Sequence, residues 1–273
     1  MIIRKIWLFL GGLIILIMLS SLVVRTTAVV AGHNHLLSHI PFELGDVPIL
    51  NYHKIDSLNH SLSISPEEFK QQMAYLHDNG YTSIRPDQLM NYLNLGKPLP
   101  KKPVMITFDD GYLDNYTNAY PVLKKYGFIA TIFLVTDLVG KDERFMNWEQ
   151  VREMEKAGFI FGSHTVTHTP LTRLPREKIM EELTESRKEI ERQLGQNPKY
   201  FAYPTGAYNL EIEELVKQAG YKAAFTIRYG QVGPGSEPYA LERIPIFRQS
   251  QTFYSFLVRL KAAPILERFG IRN

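Results

Sequence analysis

From Val47 to Phe247 the chain repeats one alternation, a short apolar run of strand-like composition followed by a segment whose apolar residues recur with helical spacing. The strand-like runs are Val47 to Tyr52, Tyr81 to Ile84, Val104 to Phe108, Phe128 to Val135, Phe159 to Gly162, Lys199 to Tyr203, Tyr221 to Ile227 and Leu241 to Phe247. Helix signals lie between them. Ser65 is placed to cap a helix with Pro66 in its first turn and Glu68 completing a capping box; Phe69, Met73 and Leu76 then share a face, and Gly80 closes it. Further helices are expected over Pro86 to Leu95 and Asn118 to Tyr126, after Asn147 with Gln150 at its third position, over Pro175 to Leu194, and over Leu210 to Ala219 behind Asn209. Ile179, Leu183, Ile190 and Leu194 form the core stripe of the longest one. Such alternation implies parallel βα units, in a barrel or an open doubly wound sheet. Eight candidate strands, and no glycine-rich dinucleotide turn after the first, favour the α/β barrel, whose chemistry sits at the C-terminal strand ends.

The N-terminus sets the expected location. Arg4 and Lys5 precede Ile6 to Val24, a charge-free run of 19 residues that Arg25 closes. At about 1.5 Å per residue it nearly crosses a hydrocarbon core of about 30 Å. Val29 and Ala31 before Gly32 suit signal cleavage, but the run is longer than a usual signal core and favours an uncleaved anchor with the rest of the chain outside. The expected organisation is a cytoplasmic segment 1–5, a transmembrane anchor 6–24, a spacer 25–45 containing His33, His35 and His39, a globular domain 46–250 carrying the chemistry, and a C-terminal helix 251–273. That last segment contains Phe253, Phe256, Leu257, Leu260, Ile265 and Leu266, interrupted by Pro264, and reads as packed on the domain. Cysteine is absent, which excludes disulfides, a thiol nucleophile and a lipid-modified cysteine. With a net charge of +3 and no dense basic tract, nothing points to a nucleic-acid partner.

Two polar clusters interrupt the apolar pattern. Val104 to Phe108 ends in Asp109, Asp110 and Gly111, and Phe159 to Gly162 is followed by Ser163-His164-Thr165-Val166-Thr167-His168. One carboxylate and two imidazoles are a suitable set for a divalent ion with an open position, the requirement for metal-assisted hydrolysis. His164 and His168 are four residues apart, which brings them together on a helix but proves nothing in a loop.

Thr107 to Gly111 (TFDDG), Ser163 to His168 (SHTVTH) and Phe201 to Gly206 (FAYPTG), in this order, resemble the polysaccharide deacetylase family, also called the NodB-homology or carbohydrate esterase 4 family. The resemblance spans roughly Val47 to Phe247 and implies a distorted or incomplete (β/α) barrel. It implies Asp110, His164 and His168 as metal ligands and Asp109 as general base, with zinc the expected ion and cobalt, nickel or manganese as alternatives. Two departures stand out. The family's late Leu-x-His motif, which supplies the general acid, is replaced by Leu241-Glu242-Arg243-Ile244-Pro245, and no histidine follows His168. The arginine of the third motif is also missing, because FAYPTG takes its place. Asn51-Tyr52-His53 resembles the early Tyr-His motif of the branch acting on poly-N-acetylglucosamine, which makes His53 the candidate acid.

Tyr112, Trp148, Phe201, Tyr203 and Tyr208 are candidate aromatics against sugar rings, and Arg243 is a candidate for binding a carboxylate or orienting Asp109. The expected activity is metal-dependent removal of N-acetyl groups from an N-acetylglucosamine-containing polysaccharide outside the cell. Poly-N-acetylglucosamine is the first expected substrate, peptidoglycan the second and chitin-like oligomers the third. A catalytically silent glycan-binding or assembly protein is the alternative.

Overall fold

The computed structural model describes residues 46–58, 60–247 and 253–268, with side chains as far as 261. The expected anchor at Ile6 to Val24 and the spacer lie outside the described residues. Among the described residues no helix is long and apolar enough to cross a membrane.

Strands β1 (Val47–Tyr52), β3 (Pro103–Phe108), β4 (Thr131–Leu134), β5 (Ile160–Ser163), β6 (Tyr200–Ala202), β7 (Ala223–Tyr229) and β9 (Leu241–Pro245) pair in parallel around a closed ring. β2 (Thr82–Ser83) adds outside β3, and β8 (Gln231–Val232) adds antiparallel to β1. The ring closes where β1 meets β9, with Leu50 opposite Ile244 and Asn51 opposite Pro245; Ile246 N–H then donates to Asn51 O at 2.9 Å. This is a distorted (β/α) barrel.

The helices form where short-range signals place them. Helix α1 (Pro66–Asp78) carries the Ser65–Glu68 capping box, and α2 spans Pro86–Leu95. Helix α4 (Trp148–Lys156) is capped by Asn147, whose Oδ1 accepts from Glu149 and Gln150 N–H, both at 3.0 Å. Helix α5 (Arg176–Leu194) buries Ile179, Leu183 and Ile190, leaving Leu194 only partly covered. Helix α6 (Leu210–Gln218) is capped by Asn209. One helix departs from its expected form. Asn118 to Tyr126 becomes a π-helical turn (Asn115–Ala119) leading into α3 (Tyr120–Lys125). Pro121 has no N–H to continue an α-helical ladder, and the wider turn absorbs the break.

Alternation along the strands divides the core. One set of residues, including Val47, Ile49, Met105, Phe133, Phe225 and Leu241, fills the barrel, and the alternate set meets the helices. Helix α7 (Phe253–Arg268) continues through Pro264 and packs on α1. Its Phe253 and Phe256 rings lie 5.6 Å and 6.3 Å from Tyr75, and Phe256 and Leu260 are buried.

Gly162 in β5 tests this packing. A Cβ there would lie 2.7 Å from both the Phe133 ring and Tyr200 O. Gly162→Ala should therefore destabilise the domain by about 1–3 kcal/mol. A thermal unfolding midpoint unchanged from wild type would show that the interior has room to spare.

Candidate active site

Strand β3 continues its ladder one residue beyond its end, with Asp109 N–H donating to Tyr52 O at 3.0 Å. The backbone then turns left-handed at Asp110 (φ 73°) and Gly111 (φ 81°). A Cβ on Gly111 would lie 2.6 Å from Leu134 Cδ2, so the turn requires glycine. This turn separates the two carboxylates, Asp109 toward the barrel interior and Asp110 toward the histidine loop.

Asp109 is buried and clamped. Arg243 Nη1 and Nη2 donate to its Oδ1 and Oδ2 at 2.8 Å and 2.7 Å, and Asn51 Nδ2 donates to Oδ2 at 3.0 Å. Arg243 is itself fully buried, with Nε donating to Thr226 O at 2.7 Å and Nη1 to Thr107 Oγ1 at 3.2 Å. Burial alone would raise the Asp109 pKa, but the Arg243 guanidinium, with help from His164, holds it well below the ordinary carboxylate range. The missing third-motif arginine thus has a local equivalent: a guanidinium on the carboxylate, delivered by the last strand of the ring.

Asp110, His164 and His168 converge beyond this pair. Their potential ligand atoms all lie within 4.8 Å of one another, with Asp110 Oδ1 at 3.5 Å from His164 Nε2 and 3.3 Å from His168 Nε2. His164 Nδ1 donates to Ala202 O at 2.7 Å; the carbonyl can only accept, so Nε2 keeps its lone pair for a ligand. Asp110 Oδ1 is buried without a hydrogen-bond partner. Burial and the neighbouring Asp109 charge push Asp110 up to about 7, and burial lowers both histidines, His164 to about 3. An unpartnered carboxylate oxygen beside two neutral imidazoles fits a divalent cation. These residues form the centre of a metal-dependent hydrolase.

His53 follows β1 on the same rim. Asn115 Nδ2 from the π-helical turn donates to His53 O at 2.7 Å, and Asp114 Oδ1 and Asn118 Nδ2 hold Ile55 N–H and Ile55 O. His53 Nε2 is 3.9 Å from Asp109 Oδ2. Burial lowers its pKa to about 4, although Asp109 pulls the other way. The Phe247 ring packs 5.8 Å from the imidazole and also borders a mainly apolar cavity of about 710 Å³ with Ile227, Tyr229, Pro245, Tyr254 and Val258.

The aromatic candidates divide. Phe201 and Tyr203 are fully buried against α5 and α6, on the outward face of β6, so neither can touch a polysaccharide in this structure. Tyr203 OH instead donates to Tyr239 O at 2.9 Å. Tyr208 stacks on Tyr203 at 5.0 Å and accepts from Arg228. Tyr112 is half-buried, stacked on Phe145 at 4.7 Å, and bonds to Asp110, which keeps it at the site. Trp148 is half-buried in a separate cavity of about 520 Å³ beside Lys141, Lys188 and Arg192. Sequence reasoning gave no separate weight to Asn51 and overlooked Tyr254; a polar side chain inside the apolar Val47–Tyr52 run was the available signal for Asn51.

The buried pair gives a test. Arg243→Met leaves Asp109 unpaired and should lower stability by about 3 kcal/mol or more in urea unfolding near neutral pH. Adding Asp109→Asn should recover much of that loss. Because folding depresses the Asp109 pKa, the pair contributes fully above its unfolded value of about 3.9 and its contribution fades as pH falls further. Equal stability of wild type and Arg243→Met at neutral pH would exclude this role.

Comparison with known proteins agrees with the geometry. The sequence pattern described as "Polysaccharide deacetylase" matches residues 96–224. The chain is 38% identical over 200 residues to "Putative polysaccharide deacetylase YxkH" of Bacillus subtilis (strain 168), covering 73% of this chain and 71% of that protein. It is 29% identical over 271 residues to the poly-beta-1,6-N-acetyl-D-glucosamine N-deacetylase of Staphylococcus aureus (strain MRSA252), covering 85% and 92%. Among solved structures, the Streptococcus pyogenes deacetylase PplD in complex with acetate superposes with a TM-score of 0.74 at 31% identity, covering 79% of this chain and 98% of that one. With the Asp-Asp strand, the histidine loop and the barrel all matched, the chain belongs to the polysaccharide deacetylase family.

Proposed function

We propose that this protein hydrolyses the acetamide groups of N-acetylglucosamine units in an extracellular glycan, poly-beta-1,6-N-acetyl-D-glucosamine first and peptidoglycan second. The observation that carries this reading is the Arg243-paired Asp109 carboxylate beside the Asp110–His164–His168 cluster, with His53 on the same rim. The Staphylococcus relative named for that polymer, and the neighbour holding acetate, the acid product of such a reaction, support it.

Asp110, His164 and His168 hold the ion, for which two imidazoles and one carboxylate suit zinc. When bound, the ion supplies a Lewis acid beside the acetamide carbonyl and lowers the pKa of water. Asp109 serves as base. The Arg243 clamp favours its carboxylate form, and Asn51 fixes its orientation. Attack by water on the carbonyl transfers one proton to Asp109 and collapse breaks the C–N bond. The proton taken up by Asp109 reaches the departing amine through His53, whose Nε2 lies 3.9 Å from Asp109 Oδ2, so both side chains end as they began and the products are acetate and a glucosamine unit. The apolar cavity reached through Phe247 gives the flanking sugars a surface next to that proton donor. Retention of base, ligand set and donor in one place favours turnover over a silent binding or assembly role.

The membrane reading also belongs here. Ile6 to Val24 is proposed to anchor the chain with the barrel outside the cell, so that the enzyme meets its polymer at the surface.

Two experiments test these readings. Zinc-loaded protein should release acetate from poly-N-acetylglucosamine oligomers faster than from peptidoglycan. Asp109→Asn should abolish release, and His53→Ala should lower kcat by about 10²–10⁴-fold. Folded, zinc-loaded protein that releases no acetate from either glycan would put the binding role ahead, and unchanged turnover in His53→Ala would assign the acid elsewhere. For the anchor, full-length protein should stay in the membrane pellet through alkaline carbonate while its barrel is open to external protease on intact cells; release into the wash would overturn it.

A further inference from the structure

The loop between the two histidine ligands makes no regular structure, yet each of its N–H groups has a partner. Thr165 N–H donates to Ser163 Oγ at 3.1 Å and His168 N–H to Thr165 Oγ1 at 3.0 Å. The two between them leave the loop. Val166 and Thr167 N–H both donate to Glu182 Oε2, at 2.8 Å and 2.9 Å, while Thr167 Oγ1 donates to Glu182 Oε1 at 2.7 Å. Glu182 lies on α5, one turn before Ser186, whose Oγ is 2.7 Å from Ser163 Oγ at the loop's other end. One face of one helix thus grips the loop at two points.

The grip matters because the loop is strained. Thr165 and His168 have φ of 71° and 63°, in the left-handed region that residues with a Cβ avoid. Such conformations persist only where the surroundings over-determine them. Thr165 opens the segment after one ligand, and His168 is the other ligand. Releasing Val166 and Thr167 would let both relax, and His168 Nε2 would lose its fixed spacing from Asp110 Oδ1.

We propose that Glu182 is a positioning residue for the metal centre: by holding the Val166 and Thr167 amides it sets the separation of the His164 and His168 side chains and hence the affinity for the ion. This rests on the reading of Asp110, His164 and His168 as a metal cluster. Among the described residues, the Glu182 carboxylate accepts from Val166 N–H, Thr167 N–H and Thr167 Oγ1, while its backbone O accepts from Ser186 Oγ at 2.7 Å. The carboxylate acts by geometry, through two acceptor oxygens at a fixed reach from α5. That separates its role from a field effect of its negative charge.

The test uses full-length protein, zinc competition against a chromogenic chelator, and amide hydrogen exchange of residues 165–168 in the metal-free state. Glu182→Ala should weaken zinc binding about 10- to 100-fold and speed exchange at Val166 and Thr167. Glu182→Asp keeps the charge on a shorter arm and should follow the alanine variant. Glu182→Gln keeps an oxygen for the two N–H groups and can turn its amide toward Thr167 Oγ1, so it should stay within a few-fold of wild type. Glu185→Ala, an exposed change on the same helix, should alter neither readout. Wild-type zinc affinity in Glu182→Ala overturns the proposal, as does an equal loss in Glu182→Gln and Glu182→Ala, which would assign the effect to charge. If the alanine variant does not fold, the Asp and Gln variants carry the same comparison. If wild type binds no zinc, the metal reading fails, and unchanged exchange in Glu182→Asp would separately end the positioning role.

Discussion

The structure turns on one ion pair inside the barrel. Arg243 and Asp109 are both buried, and removing two such charges from water costs several kcal/mol each before any attraction is counted. The arrangement is tolerable because the geometry is bidentate and the remaining donors are used, with Thr226 O, Thr107 Oγ1 and Asn51 completing the network. Apolar side chains fill the barrel around Ile49, Met105, Phe133, Phe225 and Leu241, and this polar layer joins their strands. Stability and the lowered pKa of Asp109 therefore rest on the same interaction. The pair could not be removed without touching both.

Around it, the two carboxylates of one dipeptide work in opposite electrostatic settings. A guanidinium holds Asp109 ionised, whereas burial and that neighbouring charge push Asp110 up until a cation is needed to keep it as a ligand. The left-handed turn at Asp110 and Gly111 makes this division possible, because a continued strand would not deliver Asp110 to the histidines. Among the described residues, three of the four non-glycine residues with positive φ, Asp110, Thr165 and His168, are in this centre. Backbone strain is concentrated where the ligand atoms must converge.

Much of this was legible in the sequence, and the division follows chain distance. The capping boxes at Ser65–Glu68 and Asn147–Gln150 are settled within three residues, and the βα alternation needs only local periodicity. The TFDDG and SHTVTH segments likewise carry their chemistry in adjacent residues. Arg243 and Asp109 lie 134 residues apart, so the sequence leaves the clamp as one of two roles for Arg243, and the ring that puts β9 beside β1 selects it. The burial of Phe201 and Tyr203 is not legible in the sequence because β6 is three residues long, too short for alternation to reveal which face meets the helices. Pro121, a single residue without an N–H, changed the form of a helix whose periodicity was otherwise clear.

The closing joint of the ring has a further consequence. β1 and β9 meet over a short register in which Pro245 brings no N–H, and this joint has Asn51 and His53 on one side and Arg243 on the other. Any fluctuation that parts these strands withdraws the guanidinium from Asp109 and shifts His53 relative to it. Ring opening and loss of the His53–Asp109 spacing would be one event, so a ligand that wedges the joint would disturb this site without approaching Asp110, His164 or His168. For the same reason, substitutions selected for a tighter joint would favour longevity and a fixed reaction geometry together.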